Sequence, residues 1–70
     1  MDHAEIQGAL RRIGIRVEPE MAEYLGRQMQ QQSGLGKVAV LGGDARTGVP
    51  VRRMVAVNEL TRSASGDQAV

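Results

Sequence analysis

The chain of 70 residues has room for one small domain, and nine Lys and Arg residues nearly balance eight Asp and Glu residues to give a net charge of +1. With no Cys and one His, the sequence excludes a disulfide scaffold, a zinc ribbon and thiol chemistry, so we expect neither a metal nor a cofactor. No apolar run approaches the roughly 20 residues that span a bilayer, and the N-terminus lacks the apolar core of a signal peptide, so we expect no membrane contact.

The first predicted element is an amphipathic helix over residues 3–13. Asp2 and Glu5 have the spacing of a capping box, in which each side chain accepts a hydrogen bond from the other residue's backbone N–H. Apolar residues follow at positions i, i+3, i+4 and i+7, the stripe of a helix with one buried face: Ile6, Ala9, Leu10 and Ile13. Gly14 is a natural end for this helix.

Residues 15–17 predict a short extended link to a second helix over residues 19–32. Pro19 suits the first turn of that helix, because its fixed φ is already helical and its missing N–H is not needed there. One row of the helix is apolar at i, i+4 spacing, and we assign it to an oligomer interface: Met21, Leu25 and Met29. Tyr24 lies at the edge of this apolar face and is a candidate anchor for a partner, the alternative being a partly buried core residue.

The next segment predicts a β-hairpin, with strands over residues 37–41 and 49–57. The loop between them, over residues 42–48, is expected to be exposed and mobile, with at least one glycine at positive φ. Pro50 has no N–H to donate to a ladder, so we expect the second strand either to lie at the edge of the sheet or to be bulged near its start. Arg53 interrupts the Val residues on one face of this strand, which predicts a bulge or an exposed end.

The end of the chain predicts little regular structure. Asn58 is a candidate cap for a short final helical turn, and residues 63–70 have the composition of a flexible tail. The predicted fold class is therefore α+β: one domain over residues 1–62, in which two N-terminal helices pack on a C-terminal β-hairpin, with a short helical turn at the end. The alternative is that residues 15–17 supply a third strand.

No segment has the residue pattern of a catalytic site. Residues 43–48 have the glycine spacing of a phosphate-binding loop, but Val49 and Pro50 stand where that loop needs Lys and Ser or Thr. His3 has neither a second His nor a Cys to complete a metal shell. We therefore expect a chain that is not an enzyme and has no small-molecule substrate.

Basic residues in the second half of the chain indicate a binding surface. The first 35 residues carry five acids and four bases, whereas the last 35 carry three acids and five bases. Four residues of the hairpin are candidates to contact a partner: Arg46, Thr47, Arg52 and Arg53. Adjacent strand residues point to opposite faces, so we do not expect Arg52 and Arg53 on one flat surface. A basic β-ribbon can enter a DNA groove, which keeps nucleic acid as the alternative partner.

The thin core favours association with another chain. Apart from the two terminal residues, the large aliphatic side chains are seven Val, five Leu, three Ile and three Met, with no Phe or Trp. A two-stranded hairpin alone is marginal in water, and strands from another copy would complete the sheet. We therefore predict a small non-catalytic protein-protein interaction module that self-associates, or a subunit of a larger assembly. The alternative is a nucleic-acid-binding or regulatory protein that uses the basic hairpin.

The order of a helix, a short Val-rich hairpin and the capped segment Asn58, Glu59 and Leu60 resembles that of small phage head–tail joining proteins. This resemblance implies a subunit of a virion assembly of bacterial or phage origin. Together with the absent signal peptide, it implies a cytoplasmic or virion-associated location.

Overall fold

A computed structural model describes residues 1–66 of the chain as three helices and one three-stranded antiparallel sheet. In chain order the elements are α1 (His3–Arg12), β1 (Ile15–Arg16), α2 (Pro19–Gln30), β2 (Lys37–Asp44), β3 (Pro50–Ala56) and α3 (Val57–Ser65). The strand order is β1-β2-β3, so β2 is central and β3 is an edge strand. The α+β class is confirmed, but the predicted order is only partly right, since the chain adds a strand and a complete third helix.

The capping box at the start of α1 forms as its spacing predicts. The Asp2 carboxylate accepts a hydrogen bond from the Glu5 N–H at 2.9 Å, and the Asp2 N–H donates to Glu5 Oε1 at 3.0 Å. Two of the N–H groups that lack a partner inside the helix are thereby satisfied. Gly14, with φ of 92°, then turns the chain out of the helix in a conformation that glycine adopts without strain.

The third strand comes from the residues that link the first two helices. Ile15 pairs with Asp44, and Arg16 pairs with Gly43, both antiparallel. This pairing is the alternative in which residues 15–17 supply a strand, and it extends β2 through two glycines of the predicted loop. A Cβ at Gly42 would collide with the backbone oxygen of Arg16, so the close approach of β1 requires a glycine there.

The sheet has one buried face and one exposed face. We call the buried side the inner face, where Val38, Val40 and Val55 are at most 3% exposed, and the other side the outer face. The helices and the link before α2 contribute the rest of the core: Ile6, Ala9, Leu10, Ile15, Val17, Ala22, Leu25, Val57 and Leu60. No polar or charged side chain is buried in residues 1–66. The helices of this region include none long and apolar enough to cross a membrane.

The last helix corrects two expectations about the end of the chain. It begins at Val57, with Ala56 at the N-cap position, so Asn58 lies inside the first turn and is not the cap. It also continues through Ser63 to Ser65, where a tail was predicted. The Ser63 hydroxyl donates to the carbonyl oxygen of Ala9 on α1 at 2.7 Å, a contact between distant segments that composition alone does not reveal. The predicted tail residues 67–70 lie outside the described residues.

The burial of Leu60 makes α3 part of the domain, and a matched pair of leucines tests this. Leu60 is fully buried, so Leu60→Ala is expected to lower the free energy of unfolding by about 2–5 kcal/mol through lost contacts and a residual cavity. Leu35 is 87% exposed, and Leu35→Ala is expected to change it by no more than about 0.5 kcal/mol. Urea titrations followed by circular dichroism measure both. Equally small effects would place α3 outside the core.

Candidate protein-interaction surface

The outer face of the sheet carries large apolar side chains that nothing in residues 1–66 covers. The register sets Leu41 opposite Arg52 and Ala39 opposite Met54, and all four residues are exposed. Leu41 is 51% exposed and Met54 is 59% exposed. Strand alternation places Leu41 and Met54 there, because their chain neighbours Val40 and Val55 turn to the inner face.

Helix α2 adds two side chains to this apolar surface. The helix contacts β2, and its buried residues Ala22 and Leu25 face the core. Met21 and Tyr24, three residues apart and therefore neighbours on the helix surface, border a depression together with Leu41. Tyr24 is 43% exposed, which leaves much of its ring free to contact a partner.

An open groove of about 1040 Å³ runs between the start of α2 and the turn that joins β2 to β3. Leu41 and the two glycines after it lie along the groove, and the turn residues Arg46 and Thr47 border it. Gly43 lines the groove and has no side chain to fill it. A Cβ at this position would lie 3.4 Å from the nearest atom, the Gly48 carbonyl oxygen. The groove is open to solvent and is not an enclosed cavity.

The turn beside the groove is held by Asp44. Its Oδ1 accepts hydrogen bonds from the backbone N–H of Arg46 at 2.8 Å and of Thr47 at 2.9 Å. These bonds, the one from Thr47 first, hold the pKa of the Asp44 carboxyl below its usual value of 3.8. Gly48 completes the turn with φ of 80°, which confirms the expected glycine at positive φ. The Val49 N–H donates to Thr47 Oγ1 at 3.2 Å, so the Thr47 hydroxyl already takes part in the turn.

Charged side chains of both signs border the apolar patch, and Glu18, Glu20 and Asp44 line the groove together with two arginines. Arg16 and Arg46 border the groove, and Arg52 borders the adjoining depression beside Tyr24. Residues 1–66 contain one ion pair within 4.0 Å, and it joins Arg27 to Glu23 on the surface of α2. The three arginines therefore hold no carboxylate at ion-pair distance in the described part of the chain.

The structure brings four of the five predicted partner-binding residues to this surface: Tyr24, Arg46, Thr47 and Arg52. Arg53 lies elsewhere. The register sets it opposite Val40, on the inner side of the sheet, where it is exposed at the margin of the core. The two adjacent arginines thus point to opposite faces, as strand alternation predicts.

The predicted oligomer row on α2 is corrected in part. Leu25 is fully buried inside its own chain, so it cannot contact another chain while the fold is intact. Met29 is half-buried and lies in a separate depression beside Val57 and Thr61. Met21 is the member of the row that reaches the groove. The row is explained mainly by packing within the chain, because α2 turns the Leu25 side to the core.

Sequence reasoning missed Leu41 and Met54, the two most prominent side chains of the outer face. Residues 38–41 are all apolar in the sequence, so β2 lacks the apolar–polar alternation that marks a strand with one exposed face. The structure buries Val38 and Val40 and exposes Ala39 and Leu41, a division that the sequence of this strand does not signal.

Residues 1–66 contain no group of three or more His, Cys, Asp or Glu side chains that could hold a metal ion. No family model matches the chain, and neither a curated protein nor a solved structure shows significant similarity to it.

The Asp44 turn makes a pH-dependent prediction. Because the pKa of Asp44 is lower in the folded chain, its contribution to the turn is present above pH 3.8 and is lost as the pH falls through the folded value. We expect Asp44→Ala to speed amide hydrogen exchange at Arg46 and Thr47 at neutral pH. Asp44→Asn keeps an Oδ1 acceptor without the charge, so it should retain protection and lose the acid dependence. NMR exchange rates test this, and equal rates in all three proteins would contradict it.

Proposed function

We propose that this chain is a non-catalytic protein-protein interaction module that self-associates through its outer face and the adjoining β3 strand. The observation that carries the proposal is a set of three exposed large apolar side chains: Tyr24 and Leu41 border one depression, and Met54 is the diagonal neighbour of Leu41 on the outer face. Each Å² of apolar surface left in water costs about 25 cal/mol, and soluble monomers rarely leave such side chains clustered in one patch.

The non-catalytic part of the proposal is supported by the setting of the polar groups. Catalytic acids and bases depend on burial or close charges to bring their pKa values near the working pH. No polar or charged side chain in residues 1–66 is buried. The turn that Asp44 holds lowers the pKa of its carboxyl, which makes it a poorer base.

The same surface suits a subunit of a larger assembly whose neighbours are copies of this chain. Such an assembly needs a surface on each subunit that stays unsatisfied until the next subunit arrives. The outer face meets this requirement, since Leu41 and Met54 stay exposed there in residues 1–66.

Sedimentation equilibrium tests self-association. We expect the natural chain to sediment at a multiple of its 7.5 kDa mass at micromolar concentrations. The double variant Leu41→Ser/Met54→Lys should be monomeric, because it removes two exposed apolar side chains and adds a charge to the same face.

A matched control separates this surface from general hydrophobicity. Leu35→Ser/Val49→Lys changes two side chains that are 87% and 59% exposed but lie outside the groove, and it should associate as the natural chain does. Circular dichroism establishes that both variants are folded. A stable, cooperative monomer of the natural chain at high micromolar concentration would contradict the proposal.

Nucleic-acid binding is a second candidate, and one observation favours it. Arg16, Arg46 and Arg52 lie around the surface that exposes Tyr24, and arginines beside an aromatic ring can hold phosphates and a stacked base. The net charge of +1 is far below that of most nucleic-acid-binding domains, and Arg53 is turned to the other face.

A salt series separates the two candidates. Self-association without nucleic acid predicts no binding to single- or double-stranded DNA or to RNA even at ~0.05 M salt, where phosphate contacts are strongest. The second candidate predicts binding that Arg46→Ala/Arg52→Ala weakens, with the salt slope reduced by about one unit for each lost phosphate contact. Arg53→Ala, on the inner side of the sheet, is the matched control and should leave such binding unchanged.

A further inference from the structure

The free edge of β3 presents backbone groups that have no partner in the sheet. The Val57 N–H donates to the Gly36 carbonyl at 2.9 Å, and the Asp44 N–H donates to the Val49 carbonyl at 2.8 Å. Because facing residues alternate between bonded and non-bonded pairs, the odd-numbered residues of β3 direct their backbone groups to β2. The N–H and C=O of Arg52 and Met54 therefore point away from the sheet.

Ala56 adds one further donor to this edge. Its N–H points outward with those of Arg52 and Met54, while its C=O stands at the N-cap position of α3, where the carbonyl accepts the first bond of the helix. Pro50, at the other end of the edge, has no N–H. The pairing capacity of the strand is thus concentrated between residues 52 and 56.

Four antiparallel registers would let this edge pair with the same edge of a second copy, and charge and the number of bonds distinguish them. A register centred on Arg52 sets two Arg52 side chains opposite each other, and a register centred on Arg53 does the same for Arg53. Directly opposed like charges destabilise a strand pair. The Arg52 register also sets Pro50 opposite Met54, whose carbonyl then lacks a donor because proline has no N–H. A register centred on Val55 pairs Met54 with Ala56, whose carbonyl is committed to α3, so it forms two bonds. The register centred on Met54 avoids these faults.

The Met54 register gives hydrogen-bond partners to most of the outward backbone groups of residues 52–56. Each Met54 exchanges two backbone hydrogen bonds with Met54 of the second copy. Each Ala56 N–H meets the Arg52 carbonyl of the second copy, which gives four bonds in total. A twofold axis perpendicular to the sheet relates the two strands, so the outer faces of both copies lie on the same side. The two Met54 side chains, each 59% exposed in one chain, then pack against each other.

We infer that two copies of this chain pair through the free edge of β3, in the antiparallel register that sets Met54 opposite Met54 of the second copy. The inference rests on the proposed function and states which part of the surface joins the copies. The product is a six-stranded sheet of order β1-β2-β3-β3-β2-β1 with one continuous outer face. Each copy has one β3 edge and the twofold pairing uses both of them, so this pairing closes as a dimer.

Single-cysteine variants test the register directly, because the chain has no Cys of its own. In a bonded antiparallel pair the Cα atoms are about 5.5 Å apart, within the range that a disulfide spans. Met54→Cys is therefore expected to form an intermolecular disulfide under mild oxidation. In this register residue 56 of one copy faces residue 52 of the other, so the two residues 56 are about 13 Å apart along the strand. Ala56→Cys should therefore form the disulfide at least about tenfold more slowly.

Leu41→Cys distinguishes edge pairing from stacking of the outer faces. Leu41 lies on the outer face but on β2, so the two Leu41 residues of an edge dimer are separated by both β3 strands. Rapid cross-linking at Leu41 with none at Met54 would overturn the edge inference while leaving self-association intact. The same holds for a dimer in sedimentation that cross-links at neither position. A monomeric natural chain would overturn both proposals.

Two further variants separate the backbone from the side chains. Met54→Pro removes an N–H that points away from β2, so the internal ladder keeps its bonds while the dimer loses its two central ones. We expect a folded monomer by circular dichroism and sedimentation. Leu41→Ser reduces the apolar outer face and leaves the edge intact, so its dimer should persist. A dimer in Met54→Pro, or its loss in Leu41→Ser, would contradict the inference.

Discussion

The central strand β2 is the element on which the rest of the structure depends. Its alternation directs Val38 and Val40 to the helices and Ala39 and Leu41 to solvent, and its backbone pairs with β1 on one side and β3 on the other. A shift of one residue in its register would exchange the buried and exposed sets, which the core does not allow. The inner and outer faces of the whole sheet follow from this strand.

A core without Phe or Trp is filled by contributions from every element. Leu10 and Leu25 come from the first two helices, Val40 from the sheet and Leu60 from the last helix, and each is fully buried. Because each aliphatic side chain is small, no element can be removed without exposing the others. The hydrogen bond from Ser63 to α1 complements this packing, since it links the last helix to the first across the fold.

The exposed apolar surface is a consequence of how thin the molecule is. One layer of helices covers one face of a three-stranded sheet, and no second layer lies on the outer face in residues 1–66. Leu41 and Met54 stay exposed for that reason, and the β3 edge stays open because no strand follows it in the sheet. The charged side chains and Pro50 on β3 are features that natural edge strands use against general aggregation.

Local signals in the sequence were sufficient for the features that arise within a few residues. The capping box of Asp2 and Glu5, the helix end at Gly14 and the edge position imposed by Pro50 depend on backbone chemistry that acts over one turn or one ladder step. The α+β class followed from the same signals. The division of Arg52 and Arg53 between two faces followed from strand geometry.

Contacts between distant segments decided the remainder. The pairing of Ile15 and Arg16 with the end of β2 depends on the absence of a side chain at Gly42, and a two-residue strand has no local pattern of its own. The Ser-rich composition around Ser63 indicated a tail, because the Ala9 carbonyl that accepts the Ser63 hydrogen bond lies 54 residues earlier and leaves no local signal. The groove likewise exists only because α2, the Asp44 turn and the outer face meet in space, and no segment contains the residues of all three.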